Sequence, residues 1–231
     1  MTSRVNAEEL SRAGAKQPTK RVRRSAQDRR AEIVDAARRT ALRDGLENVT
    51  LRSLGEELGV AGSLVSHYFP AVDDLLAEAF AAATGDELDQ AFDSVTDESD
   101  PVAVLAGILG FASNADRAEV TRLWIDAWHI GRRRPALQAE VVRQMDAWTG
   151  RLGAVIADGV GVGVFRLADD TDSPDVAAQI MAVIDGLTLW STVRGTIGYD
   201  AVARLAFSLA EAQLGLAEGT LASPGDGTTN R

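Results

Sequence analysis

The stretch TLRSLGEELGVAGSLVSHYFP, residues 50–70, decides how this chain is read. Thr50 stands before an apolar repeat at Leu51, Leu54 and Leu58, the i, i+3, i+7 spacing of a short helix with a threonine N-cap. Gly59 interrupts that helix. Residues Ala61 to Tyr68 form a second short segment, and Pro70 discourages Phe69 from continuing it. Two short helices joined by a glycine-containing turn are a helix-turn-helix pattern. Packing Leu51, Leu54 and Leu58 against Val65 and Phe69 leaves Gly62, Ser63, Ser66 and His67 pointing outward. Such a small-residue surface lets a helix approach base edges in a major groove. An ordinary helical hairpin inside a larger core has the same outline, so the surroundings must be read as well.

Charge supplies the first surrounding signal. The 231-residue chain has a net charge of −10, with 22 Arg and only two Lys, Lys16 and Lys20. Residues 1–72 hold 13 Lys and Arg against 9 Asp and Glu, whereas residues 73–231 hold 11 against 25. The whole chain would repel a polyanion, but its N-terminal third would not. This partition implies two modules with different partners.

Working outward, residues 1–25 lack apolar periodicity and contain the run Lys20-Arg21-Val22-Arg23-Arg24. They read as a basic disordered arm, either a solvated tail or a segment that lies on phosphates. Ala26 to Asp44 is a helix with Ile33, Ala37 and Ala41 on one face, stopped by Gly45. A longer helix starts near Val72 and carries Leu75, Leu76, Ala79, Phe80 and Ala83. The polar stretch 93–100 reads as a linker. Asp100-Pro101 and Ser173-Pro174 each place proline at the first position of a helix. Further helices are expected near 101–113, 116–131, 135–158, 174–194 and 200–217, with a disordered tail over 219–231. Ile180, Ile184 and Leu187, with Val202, Leu205, Leu209 and Leu216, give the last two helices apolar faces suited to a two-fold four-helix interface.

From Ile33 to Leu76 the chain becomes recognisable. Ala-Ala-Arg-Arg at 36–39, Gly45, Val49-Thr50-Leu51, Leu58-Gly59-Val60 and Ser66-His67-Tyr68-Phe69 resemble the DNA-binding domain of TetR-type transcriptional regulators. The string Leu64-Val65-Ser66-His67-Tyr68-Phe69 is similar to the choline-responsive, betaine-pathway (BetI-like) repressors of that family. Trp124, Trp128, Arg134-Pro135, Leu137 and the step Asp185-Gly186-Leu187 look like that subgroup's C-terminal domain. The resemblance implies an all-α homodimer. A helix-turn-helix DNA-binding domain (26–71) would precede a helical ligand-binding and dimerisation domain (72–218). It also implies that Thr50 and Arg52 contact phosphates and that Ala61, Gly62, Ser63, Ser66, His67 and Tyr68 form the recognition helix. The family usually places a lysine just after the Phe. Here Pro70-Ala71-Val72 offers none, and the basic arm is the candidate substitute.

The aromatic residues point to the second partner. All four tryptophans (124, 128, 148 and 190) lie in the C-terminal part. Trp124 and Trp128 share a helical face, with His129 near its edge; Phe111 and Trp148 lie on neighbouring predicted helices. Core packing is the ordinary reading of such aromatics; the functional reading makes these five residues candidates for a ligand pocket, with the aromatics forming a cage for a cation.

Other classes find little support. There is no cysteine, and neither of the two histidines sits in a His-Glu-x-x-His pattern, so no metal or cofactor is expected. The glycines at 159, 161 and 163 have the wrong spacing for a dinucleotide fingerprint and read as a helix end or turn. No charge-free apolar run reaches membrane-spanning length, and the N-terminus does not read as a secretory signal, so a cytoplasmic protein is expected. The reading that results is a non-enzymatic, ligand-responsive repressor that binds palindromic double-stranded operator DNA as a homodimer and is released by a small-molecule effector. Its rivals are a helical small-molecule-processing enzyme and a non-specific architectural DNA binder.

Overall fold

The computed structural model describes residues 25–194 and 198–221. Residues 1–24 of the basic arm and the end of the tail, residues 222–231, lie outside them, whereas Ser25, expected in the arm, is described and caps the first helix. Nine α-helices and two 3₁₀ turns are present among the described residues. Helix α1 (Ala26–Asp44) opens with a capping box in which Ser25 Oγ accepts the Asp28 N–H and Asp28 accepts the Ser25 N–H. Its buried stripe is Ile33, Ala36, Ala37, Thr40 and Ala41. Gly45 follows at φ 94°, a conformation that favours glycine, and a 3₁₀ turn (Leu46–Asn48) leads to the next helix.

Helix α2 (Leu51–Leu58) begins with a second capping box, Thr50 with Ser53. Helix α3 (Gly62–Tyr68) packs on it through Val65 and Phe69, both fully buried beside Leu54. Leu51 and Leu58 are only partly buried. Ser63 and His67 face outward and Ser66 is half-buried. Gly62 does not point outward as expected. A Cβ there would lie 3.2 Å from the Leu51 carbonyl oxygen, so its lack of a side chain lets the backbones of α2 and α3 approach each other.

Helix α4 (Val72–Asp93) joins the two halves of the chain. Its Leu75, Leu76, Ala79 and Phe80 are buried where it packs on α1, and it continues along α7. A domain boundary at residue 72 therefore separates modules that share one helix and one continuous buried cluster. Helices α5 (Pro101–Ala112), α6 (Ala118–Gly131), α7 (Pro135–Gly161), α8 (Ser173–Arg194) and α9 (Tyr199–Gln213) complete the fold. Asp100 Oδ1 accepts the Val102 N–H at 3.1 Å, the cap that its sequence position predicts. Helix α7 is central, touching α4, α5, α6 and α8.

Three details depart from the sequence expectation. Helix α9 stops at Gln213 because Gly215 turns the chain at φ 65°, so Leu216 is not on it. Gly219 and Leu221 are tied down, since the two carboxylate oxygens of Glu211 accept their N–H groups at 3.0 and 2.7 Å, and Leu221 is buried. Ile180, Ile184 and Val202 are buried within the chain itself; the exposed apolar side chains on α8 and α9 are Leu189, Trp190, Val193 and Leu205. The glycine-rich run does form a helix end. Gly159 is needed there because a Cβ would lie 2.1 Å from the Phe165 ring. Residues Ser173–Val193 of α8 have the length and hydropathy of a membrane span, but α8 packs between α7 and α9 and carries Asp185 in its middle.

Candidate functional site

Two surfaces matter. The first is the exposed side of α2 and α3. Thr50 fixes the start of α2 by accepting the Ser53 N–H at 3.0 Å. Arg52 is almost fully exposed and pairs with Glu56 one turn on, at 2.9 Å. Ala61 is the exposed N-cap of α3. Ser66 Oγ donates to the Ser63 carbonyl at 3.0 Å, and the His67 and Tyr68 rings meet edge to face at 5.4 Å. Arg30 lies 4.6 Å over the Phe69 ring and steadies the end of α3 against α1. Of the sequence-predicted DNA-binding residues, Thr50, Arg52, Ala61, Ser63 and His67 are exposed, Ser66 and Tyr68 are half-buried, and Gly62 is a packing position.

The second surface is a partly open cavity of about 280 Å³ between α6, α7 and α8. Trp124, Trp128 and Trp148 wall it, with Ile125, Met181 and Ile184. Trp124 and Trp128 stand 5.9 Å apart between ring centres, and Trp124 rests edge-on against Phe80 at 4.9 Å. Phe111 and His129 are not in this wall. Phe111 lies beside Arg117 at 5.8 Å, and the exposed His129 faces a different recess, at the α6–α7 turn. A helix face turns by about 100° per residue, which carries position 129 away from positions 124 and 128.

The polar part of the cavity was largely hidden from the sequence. Arg117 and Asp185 line it, and Glu87 behind them binds the Arg117 guanidinium and accepts from Trp124 Nε1 at 3.3 Å. Burial pushes the Asp185 carboxyl up to about 6, with Arg117 opposing that rise and Glu87 adding to it. The buried Thr188 hydroxyl, also in the wall, has no hydrogen-bond partner among the described residues. Arg117, Glu87 and ionised Asp185 leave one net negative charge beside an aromatic wall, an environment complementary to a small cation. One sequence signal was available: Asp185 is the only charged residue between positions 176 and 193.

Comparison with known proteins agrees with this division of labour. Residues 33–79 match the sequence model of the bacterial regulatory proteins of the tetR family. Residues 102–215 match that of the C-terminal domain of BetI-type transcriptional repressors. The chain belongs to the TetR family. It is thus a TetR-type transcriptional regulator rather than an enzyme. It is 29% identical over 168 residues to the HTH-type transcriptional regulator BetI of Agrobacterium fabrum, covering 72% of this chain and 78% of that one. A BetI 1 protein of Chromohalobacter salexigens is 26% identical over 192 residues, covering 80% and 90%. Among solved structures, a transcriptional regulator from Saccharomonospora viridis in complex with choline superposes with a TM-score of 0.68 at 22% identity, over 80% of this chain and 96% of that one. The multidrug binding protein EbrR complexed with proflavin superposes with a TM-score of 0.57 at 26% identity, over 78% and 99%. This TetR-family chain therefore shares the fold of proteins that have been solved with small molecules bound.

Proposed function

We propose that this TetR-family regulator is a cytoplasmic repressor that binds a palindromic operator as a homodimer and releases it when a small organic cation fills the tryptophan-walled cavity. The observation that carries the reading is the meeting of Trp124, Trp128 and Trp148 with the half-buried carboxylate of Asp185 in one cavity. Quaternary ammonium groups cannot donate hydrogen bonds, and aromatic faces with a nearby carboxylate bind them. Choline in the S. viridis relative makes choline the first ligand to try.

In this reading α3 enters the major groove, with Ala61, Ser63, Ser66, His67 and Tyr68 near base edges, and Thr50 and Arg52 rest on phosphates. The exposed apolar side chains of α8 and α9 meet those of a second copy. Ligand shifts the spacing of the two heads only as far as it binds the released state more tightly. The test is a choline titration of the full chain, read by tryptophan emission and by anisotropy of a labelled duplex from the region upstream of its own gene. Saturable emission change and DNA release over the same concentration range are expected. Emission change without release would remove the effector role, and neither response would remove choline.

A further inference from the structure

The reading head presents no spare positive charge among the described residues. Residues 25–72 contain six arginines and seven acids. Arg29, Arg30, Arg38, Arg39, Arg43 and Arg52 are each ion-paired to a carboxylate. The chain leaving α3, Pro70-Ala71-Val72, carries no cation and runs into Asp73 and Asp74. A phosphate approaching this surface has to compete with internal partners for every guanidinium.

Unpaired guanidinium groups stand close by on another element. The turn between α6 and α7 is Gly131-Arg132-Arg133-Arg134-Pro135. Its backbone is held by the Arg133 N–H to Ile130 carbonyl bond at 3.1 Å and the Arg134 N–H to Gly131 carbonyl bond at 2.9 Å. Arg134 lies 3.5 Å from Asp73, in the first turn of α4, so the turn sits against the segment into which α3 runs. Arg132 and Arg133 are exposed, and neither forms an ion pair among the described residues. With Asp73, His129 and Arg134 they border an open recess of about 420 Å³. The three arginines outnumber Asp73 and Asp74, so the patch keeps a positive charge.

We propose that Arg132 and Arg133 are a DNA-backbone contact: they grip the phosphates of the duplex strand that passes the end of α3. The ligand-binding half of the chain would then hold DNA directly, through a turn that follows the cavity-lining helix α6. Arginine's planar fork matches phosphate oxygens, and unpaired arginines keep their full charge for them. The proposal rests on the DNA-binding reading given above, and adds to Thr50 and Arg52 a phosphate anchor that is not already ion-paired.

The test uses a labelled duplex of arbitrary sequence, because phosphate contacts do not depend on the operator. Binding of full-length wild type, Arg132→Ala/Arg133→Ala and Arg132→Lys/Arg133→Lys is followed by anisotropy over a salt series. The alanine pair should flatten the log–log salt slope by about 0.9 for each phosphate it no longer neutralises. The lysine pair should restore most of it, and Arg166→Ala, exposed on the α7–α8 connection, should leave the slope unchanged. Melting curves and choline-dependent emission should match wild type throughout. Identical slopes for wild type and the alanine pair would overturn the proposal, as would an alanine pair whose defect appears only in binding a purified acidic protein. A wild type that binds no duplex at any salt would overturn the regulator reading itself.

Discussion

Asp126, on the pocket helix α6, accepts the backbone N–H of Leu46, in the turn that leads into α2, at 3.3 Å. The same carboxylate oxygen would lie 3.0 Å from a Cβ at position 45, so glycine there serves both the left-handed turn and the close approach of α6. Trp124 and Trp128, on either side of Asp126 in sequence, face the cavity. One helix thus touches the cavity with one face and the turn before α2 with another, so the Leu46–Asp126 bond is a direct path by which a movement of α6 would reach the helix-turn-helix.

Substituting Asp126→Ala should therefore weaken coupling more than either binding event. Ligand affinity by emission should stay near wild type, while the ratio of operator affinities without and with ligand should fall several-fold. Removing the bond to a partly buried N–H should cost about 1 kcal/mol of stability. An unchanged ratio would assign the coupling to α4 alone.

Asp185 makes a pH prediction in two directions. Its folded value of about 6 lies above the ordinary 3.8, so the folded chain holds an extra proton between those values. Ligand-free stability should consequently fall as pH rises through that window and level off above it. Asp185→Asn should remove this slope and raise stability at neutral pH by on the order of 2–3 kcal/mol. Cation affinity should run the other way, rising as pH climbs through 6 and Asp185 ionises. Thermal melts and emission titrations across roughly pH 4–8 check both signs.

The tryptophans should separate by burial. Trp128 is half-buried at the cavity wall, whereas Trp148 is 2% exposed and packs against Phe92. Trp128→Ala should weaken choline by about 0.5–2 kcal/mol, up to roughly thirty-fold. Trp148→Ala should instead lower stability by about 3–5 kcal/mol. A Trp128→Ala protein with wild-type choline affinity would place the ligand elsewhere.

Arg52 and His67 should report different roles on DNA. The exposed Arg52–Glu56 pair is worth little by itself, so a phosphate can displace it. Arg52→Ala should weaken all duplexes alike, and His67→Ala should change the ranking of operator variants. Binding to a panel of single-base variants distinguishes the two.

The proposed homodimer would use the outer stripe of α8 and α9. Val193 is 74% and Leu205 is 52% exposed in the single chain. Val193→Asp/Leu205→Asp should leave helicity intact, shift sedimentation from dimer to monomer and abolish tight operator binding. A double variant that stays dimeric would put the interface on another face.

The head was legible in the sequence because it is built from local rules. The Thr50 cap, the leucine spacing of α2, Gly45 and Pro70 each act within a few residues, and they set α1, α2 and α3 almost to the residue. Helix patterning also announced α4 to α9, and tryptophan placement named three of the cavity's walls.

What lay beyond the sequence was every relationship that depends on how helices rotate and cross. Ile180, Ile184 and Val202 carry the same apolar signal as Leu205, and only the packing of α8 between α7 and α9 tells inner faces from outer ones. Hydrophobicity records that a side chain avoids water, not which neighbour removes it. Likewise Glu87, Arg117 and Asp185 come from three separate helical segments, and their charges mattered only once the fold had excluded water from between them. Local propensity and capping wrote the list of helices; desolvation, which exists only in the assembled tertiary structure, made a site out of them.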